Sequence, residues 1–281
     1  MEIQIADQRM LVFPVSISFD DAKAKAWSKR MDAFGTVNKV MGFLSRPDES
    51  DFTLLYSEQR LQPFWHVIAT SKYVYDRSAT YQIAPKGPEV ARVTLHDSNY
   101  EISNGHFHLP VMEHCDEEGR SEVLVDGVTG KEDVGLRKYL ALSPNSVEGE
   151  IGAAVPEGVI VVPPQARVSA LMRSTLAKMI KGIEADTILE ERVQVPCIDL
   201  YYRPVYAFQY KWISKGKDGI IEVDALTGEV TAGTRLFSEY LGKIPNKDFL
   251  FDLGADVAGT LIPGGSIAVK VAKHVMDKRG G

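Results

Sequence analysis

The side chains best suited to chemistry lie close together in one segment, from His106 to Cys115. This segment combines imidazole, carboxylate and thiol groups, which are all competent zinc ligands. On a strand, His106 and His108 point to the same face, as ligands of one metal ion must. The segment is therefore a candidate zinc site, in which Glu113 is a fourth ligand or a base. The candidate ligands are His106, His108, Glu113, His114 and Cys115.

The spacing of these residues also fits an interpretation without a metal. His114 and Cys115 are adjacent, so they point to opposite faces of a regular strand. No C-x-x-C or H-E-x-x-H spacing accompanies them. Two surface histidines beside a turn and a buried cysteine give the same pattern, and the spacing favours this second interpretation.

Motifs for other kinds of chemistry are absent from the sequence. There is no G-x-S-x-G elbow for a hydrolase and no glycine-rich phosphate or dinucleotide loop. We therefore predict no catalytic residue and no cofactor-binding residue. The acidic stretch from Glu113 to Asp133 is either a docking surface for a basic partner or a solvated face, and the second is the more common role of a charge run.

The composition is that of a globular protein and argues against several other classes of protein. The chain has 281 residues, 44% of them hydrophobic and 25% charged, which is typical of a globular protein. Its net charge of −6 argues against a nucleic-acid partner. The N-terminus has no secretory pattern, and no apolar run is long enough to span a bilayer. The two cysteines are far apart in sequence, so we expect reduced thiols and a cytoplasmic location.

Three features recur in the same order along the chain, which predicts an internal duplication. Each half has an apolar strand that ends in proline and precedes a helix. Each then has a strand that opens with proline followed by apolar and aromatic residues, and a closing strand with an Asp-x-x-Thr-Gly turn. The paired segments are 11–34 with 161–180, 63–67 with 204–208, and 125–130 with 223–228.

The closing strand of the second half carries a family resemblance. The segment Ile221–Val230, with the sequence IEVDALTGEV, resembles the last hairpin of PepSY-type domains. The overall pattern also resembles that of a bacterial family that implies no activity. The resemblance implies a helix packed on a small antiparallel sheet, and it implies a propeptide, inhibitory or interaction role without a catalytic centre.

These observations together predict an α+β fold made of two repeated helix-plus-antiparallel-sheet units. The predicted units are 1–140, with a β-meander inserted at about 73–120, and 141–234. A helical C-terminal segment is predicted over 235–281. Within it, residues 249–279 form an amphipathic stretch, which either docks on the protein's own sheet or contacts a membrane surface or partner.

For function, the sequence favours a non-catalytic interaction or regulatory protein with a protein partner or self-association. One alternative is a metal-binding protein or metal-dependent enzyme that uses the segment from His106 to Cys115. Another is a peripheral membrane protein that uses residues 249–279.

Overall fold

A single mixed β-sheet organises the chain in the computed structural model, which describes residues 1–35, 47–149, 151–233 and 268–271. Ten of the described strands join this sheet, and β4 and β5 form a separate hairpin. The strands are β1 (Glu2–Ile5), β2 (Arg9–Val12), β3 (Phe52–Ile83), β4 (Arg92–Leu95), β5 (Ser98–Glu101), β6 (Phe107–Asp126), β7 (Asn145–Val147), β8 (Ile160–Val161), β9 (Thr187–Trp212), β10 (Lys217–Asp224), β11 (Val230–Gly233) and β12 (Ala268–Val271).

The two longest strands form the centre of the sheet. β3 and β9 run antiparallel, with Gln62 opposite Arg203. β6 lies along the outer edge of β3, while β10 and then β11 lie outside β9. β1 and β2 run parallel to β9, next to its 192–195 and 199–202 segments. β3 and β9 therefore carry most of the residues that the sheet can bring together.

Two α-helices cover one face of this sheet, α1 (Phe19–Ser28) and α2 (Val168–Met179). Ser18 caps α1 by accepting a hydrogen bond from the Asp21 amide. Ala22 and Ala26 of this helix pack against aromatic residues of β9 and apolar residues of β10. α2 instead packs on β3 and β6, with Met172 completely buried. Each helix thus lies over strands from the other half of the sequence.

The α+β prediction is wrong, because the described chain is mostly β-sheet rather than two helix-plus-sheet units. The predicted insertion at 73–120 is largely the continuation of β3 and β6, whose residues pair without interruption from Phe64 opposite Asp126 to Ile83 opposite Phe107. Only the β4–β5 hairpin is separate. Its turn lies at His96 and Asp97, which both have positive φ.

The two Asp-x-x-Thr-Gly turns nevertheless have the same local structure. The Oδ1 atoms of Asp126 and Asp224 each accept hydrogen bonds from the amides two and three residues later. Gly130 and Gly228 both have positive φ, at 70° and 72°, as the turn requires. The aromatic residues of β3 and β9 that follow the two matched prolines or lie near them are buried: Trp65, Tyr201, Tyr202, Tyr206, Tyr210 and Trp212.

The predicted helical C-terminus is described at four residues only. Ala268–Val271 form β12, which pairs parallel to β1, so the helix prediction is wrong there. The rest of the amphipathic stretch at 249–279 lies outside the described residues. Within the described ranges, no helix has the length and apolar character needed to cross a membrane.

Candidate functional site

A row of polar side chains lies on the sheet face opposite the helices, where β3 and β9 meet. His66 of β3 is directly opposite Asp199 of β9, and Cys197 lies two residues before Asp199 on the same face. Their nearest ligand atoms all lie within 4.8 Å of one another. His66 and Asp199 are buried, and Cys197 is half-buried. This is the one group of three such side chains with metal-ligand spacing in the part of the chain that the structure describes.

The distances in this cluster suit a tetrahedral metal ion. Cys197 Sγ lies 3.6 Å from His66 Nδ1 and 3.2 Å from Asp199 Oδ2. Two ligand atoms of a tetrahedral zinc ion are about 3.5 Å apart, given zinc–sulfur and zinc–nitrogen bonds of about 2.3 and 2.0 Å. The two distances from Cys197 Sγ are therefore close to those around a tetrahedral ion, and the ligand atoms of His66 and Asp199 lie within 4.8 Å of each other.

Carboxylates and arginines surround the cluster and orient its members. His66 Nε2 lies 2.9 Å from Glu122 Oε1, and Arg137 donates to the other oxygen of Glu122 at 2.9 Å. This contact directs Nδ1 of His66 toward Cys197, as outer-shell carboxylates do for metal-bound histidines. On the other side, Arg9 donates to both oxygens of Asp199, from Nε at 2.8 Å and from Nη2 at 2.6 Å.

The electrostatics of the cluster disfavour a free thiolate. Burial and the adjacent Asp199 carboxylate raise the pKa of Cys197 to about 12. The thiol is therefore protonated at neutral pH and donates to Asp199. The hydrogen bond from His66 lowers the pKa of Glu122, and the Arg137 charge contributes to the same effect. The hydrogen bonds to Asp199 raise the pKa of Arg9, which keeps the guanidinium charged.

A β-bulge in β9 lies next to the cluster. Ile68 pairs with Cys197 but Thr70 pairs with Gln194, so β9 contains one extra residue here. Pro196 is exposed at this bulge, where it can lack an amide hydrogen at no cost. The bulge also lies between the segments of β9 that pair with β1 and β2, which is where the side chain of Arg9 reaches Asp199.

The structure does not bring the sequence-predicted ligands together. His106 is exposed at a turn, and its ring lies 3.1 Å from the carbonyl of Asn104. His108 and His114 both lie on β6, about 20 Å apart at roughly 3.3 Å per residue. Glu113 instead accepts hydrogen bonds from Arg77 and Tyr81.

The last of these residues, Cys115, also has separate surroundings. It pairs with Tyr75 on β3, while the adjacent His114 lies next to Asp76 at 2.7 Å. Since these residues are spread along an extended strand, the structure gives no support to a shared metal site in the segment from His106 to Cys115.

The acidic stretch from Glu113 to Asp133 is largely matched by cations from neighbouring strands and helices. Lys72 lies opposite Glu118 at 3.1 Å, and Lys178 lies 3.2 Å from Glu132. These contacts favour the solvated face over a docking surface for a basic partner.

Sequence reasoning missed the residues of the actual cluster. The available signal was the Cys197-x-Asp199 spacing, which places two potential ligands on one face of a strand. The third potential ligand, His66, is 131 residues away from Cys197 in the sequence. Only the register of β3 against β9 shows that it belongs to the same site.

Comparisons with protein-family models, curated proteins and solved structures find no match to this chain. The similarity to PepSY-type domains therefore stays a prediction from the sequence, and the chemistry of the site rests on the geometry alone.

Proposed function

We propose that this protein is a non-catalytic regulatory protein that binds a divalent transition metal, with zinc the best fit. His66 Nδ1, Cys197 Sγ and Asp199 Oδ2 are the proposed ligands. The observation that carries the proposal is their mutual spacing, with separations of 3.6 and 3.2 Å around Sγ. A nitrogen, sulfur and oxygen donor set suits zinc, and water or a further ligand completes the tetrahedron.

Metal binding fits the cluster better than nucleophilic catalysis does. A cysteine nucleophile needs a thiolate, and positive charge near the sulfur normally provides it. At Cys197 the nearest charge is the carboxylate of Asp199, which opposes ionisation. A divalent cation reverses this situation, because it stabilises the thiolate and the carboxylate at once.

A regulatory role is favoured over a metal-dependent enzyme because His66 and Asp199 are buried, which limits the access of a substrate to a bound ion. One surface cavity, of about 390 Å³, is lined by residues 78–80 and 110–112. A second cavity, of about 190 Å³, is lined by residues that include Tyr139, Arg203 and Asp224. Neither is lined by a proposed ligand.

Zinc titration of the purified, metal-free protein tests the proposal. We expect one zinc ion per wild-type chain, and we expect Cys197→Ser and His66→Asn to weaken binding by at least about tenfold. The matched control is the double variant His106→Ala/His108→Ala, which should bind as the wild type does. Absence of binding by the wild type, or loss of binding in the control alone, would refute the proposal.

We also propose that regulation acts through a protein partner or through self-association, in the cytoplasm. The resemblance of Ile221–Val230 to an interaction domain supports regulation through a partner or through self-association. The free thiols of Cys115 and Cys197 are consistent with a location in the reducing cytoplasm. Native mass measured with and without zinc tests self-association. If the protein is a monomer in both conditions, self-association is excluded and regulation through a different protein is the remaining alternative.

A further inference from the structure

We infer that Arg9 is the resident counter-cation of the His66–Cys197–Asp199 site and that it competes with the metal ion for Asp199. The inference rests on the proposed function, since it concerns how that same site is regulated. Arg9 is thus a positioning residue that sets metal affinity, and it is not itself a ligand.

The contacts of Asp199 show why competition is expected. Arg9 Nε and Nη2, the Cys197 thiol and the Tyr201 hydroxyl all donate to this carboxylate. Three of the four donors act on Oδ2, and one carboxylate oxygen offers about two acceptor positions. Arg9 and Tyr201 still occupy both positions after the Cys197 thiol loses its proton, so a metal ion can bind Oδ2 only if one of these two leaves.

Cys197 and Tyr201 cannot move away from the Asp199 carboxylate as Arg9 can. Cys197 stays beside the ion as a ligand after it loses its proton. Tyr201 is fixed in the aromatic stack, with its ring 4.9 Å from that of Phe64. The side chain of Arg9 is 61% exposed, whereas that of Asp199 is 1% exposed. Arg9 alone has open solvent into which it can move.

The charges of the site lead to the same conclusion. A divalent ion with one thiolate and one carboxylate is a neutral group, and a guanidinium beside it adds only repulsion. Without a metal, however, the buried Asp199 needs a cation, and Arg9 supplies it. The remaining charged pair, Glu122 with Arg137, lies behind His66 and does not touch Asp199.

The backbone allows this exchange without loss of the sheet. Arg9 pairs with Asp199 in the parallel β2–β9 ladder, whose hydrogen bonds do not involve the side chain. Arg9 can therefore release the carboxylate while β2 stays in place. The apparent affinity for a metal is reduced by the fraction of molecules in which Arg9 still occupies Asp199.

Two variants of the full chain test the inference. Arg9→Gln removes the charge, and the matched control Arg9→Lys keeps it. In competition with a chelator, we expect Arg9→Gln to bind zinc at least about tenfold more tightly than the wild type, the lower end of the effect of groups next to metal ligands. Arg9→Lys should stay close to the wild type. A purely structural role would weaken binding in Arg9→Gln, so that result, or unchanged affinity, would overturn the inference.

A measurement on the wild type covers the case in which Arg9→Gln does not fold. Modification of Arg9 by an arginine-specific dicarbonyl reagent should be faster with zinc than without it, because the metal frees the guanidinium. Slower or unchanged modification at saturating zinc would also overturn the inference. If zinc does not bind to the wild type at all, the proposed function fails instead, so the two failures are distinct.

Discussion

At the scale of single residues, Asp126 and Asp224 show how the first aspartate of two similar turns acquires different environments. Both accept hydrogen bonds from the amides of their own turns. Asp224 also accepts hydrogen bonds from Tyr139 and from Arg203, the latter at 2.8 Å, and it is buried. Burial by itself would raise the pKa of Asp224, but these hydrogen bonds and the charge of Arg203 hold it below its usual value.

This difference predicts a pH-dependent effect of Asp224→Asn. The pKa of Asp224 is lower in the folded chain, so its carboxylate stabilises the fold above the unfolded pKa of about 4 and loses that contribution as the pH falls through the folded pKa. We expect the variant to lose about 1–3 kcal/mol of unfolding free energy at pH 7. The loss should shrink below about pH 4. Denaturant unfolding across this pH range measures both quantities.

Asp126→Asn is the matched control, because the asparagine oxygen can still accept the turn hydrogen bonds and no arginine contacts this position in the described structure. Its effect on stability should be smaller at pH 7. Equal losses in the two variants would mean that Arg203 and Tyr139 add nothing to Asp224.

The distance along the chain between a residue and its partners determines which residues of the site could be predicted from the sequence. The Asp-x-x-Thr-Gly turns were predictable because their hydrogen bonds are local. His66 was not assignable, because its partners Cys197 and Glu122 are on other strands and depend on register. A histidine's chemistry is set by such distant neighbours, which a single sequence does not reveal.

At the scale of elements, the long β3–β6 hairpin determines where the sequence prediction failed. Alternation and turn residues predicted a separate meander, and the strand segments themselves were found. Two strands can continue in register over any length, so the pattern could not distinguish a new hairpin from an extension of β3 and β6. The same ambiguity placed the predicted ligands on a distal part of the hairpin, far from the centre of the sheet.

The distal part of this hairpin should be dispensable. Beyond Asp76, which pairs with Thr187 at the start of β9, β3 has only β6 as a partner in the described sheet. Residues 79–111 can be replaced by Asn-Gly, a two-residue hairpin turn that joins the paired residues Ser78 and Met112. We expect this variant to keep cooperative unfolding and zinc binding, as measured by thermal melting and titration.

This deletion removes His106 and His108 but leaves His66 and Cys197 in place. Zinc binding that disappears while the fold persists would locate the metal in the hairpin, contrary to our account. The wild-type chain, titrated in parallel, provides the reference.

At the scale of the whole molecule, the two halves of the chain are interleaved. α1 from the first half packs on β9 and β10, and α2 from the second half packs on β3 and β6. The sequence predicted an internal repetition, of which the structure shows the two similar turns. It did not predict the exchange of helices, since an apolar helix face fits either sheet surface. The sequence predicted two repeated units that follow one another along the chain, whereas in the described structure the helix of each half packs on strands of the other.

This packing predicts that neither half folds alone. Fragments 1–149 and 150–281 each lack the helix or the strands that bury their apolar residues, including Trp65 and Met172. We expect that neither fragment alone shows a cooperative unfolding transition. An equimolar mixture of the two fragments should recover this transition, as measured by circular dichroism. A full chain cleaved after the exposed Gly149 is the control and should stay folded. A cooperative transition in an isolated fragment would show that the halves are separate domains.

The central claim is that the join between the two halves holds a metal ion, because β3 supplies His66 while β9 supplies Cys197 and Asp199. X-ray absorption spectroscopy of the zinc-loaded protein tests it directly. We predict one sulfur neighbour at about 2.3 Å with nitrogen or oxygen neighbours at about 2.0 Å, and loss of the sulfur signal in Cys197→Ser but not in Cys115→Ser. A zinc ion without a sulfur neighbour, or a sulfur signal that disappears only in Cys115→Ser, would contradict it.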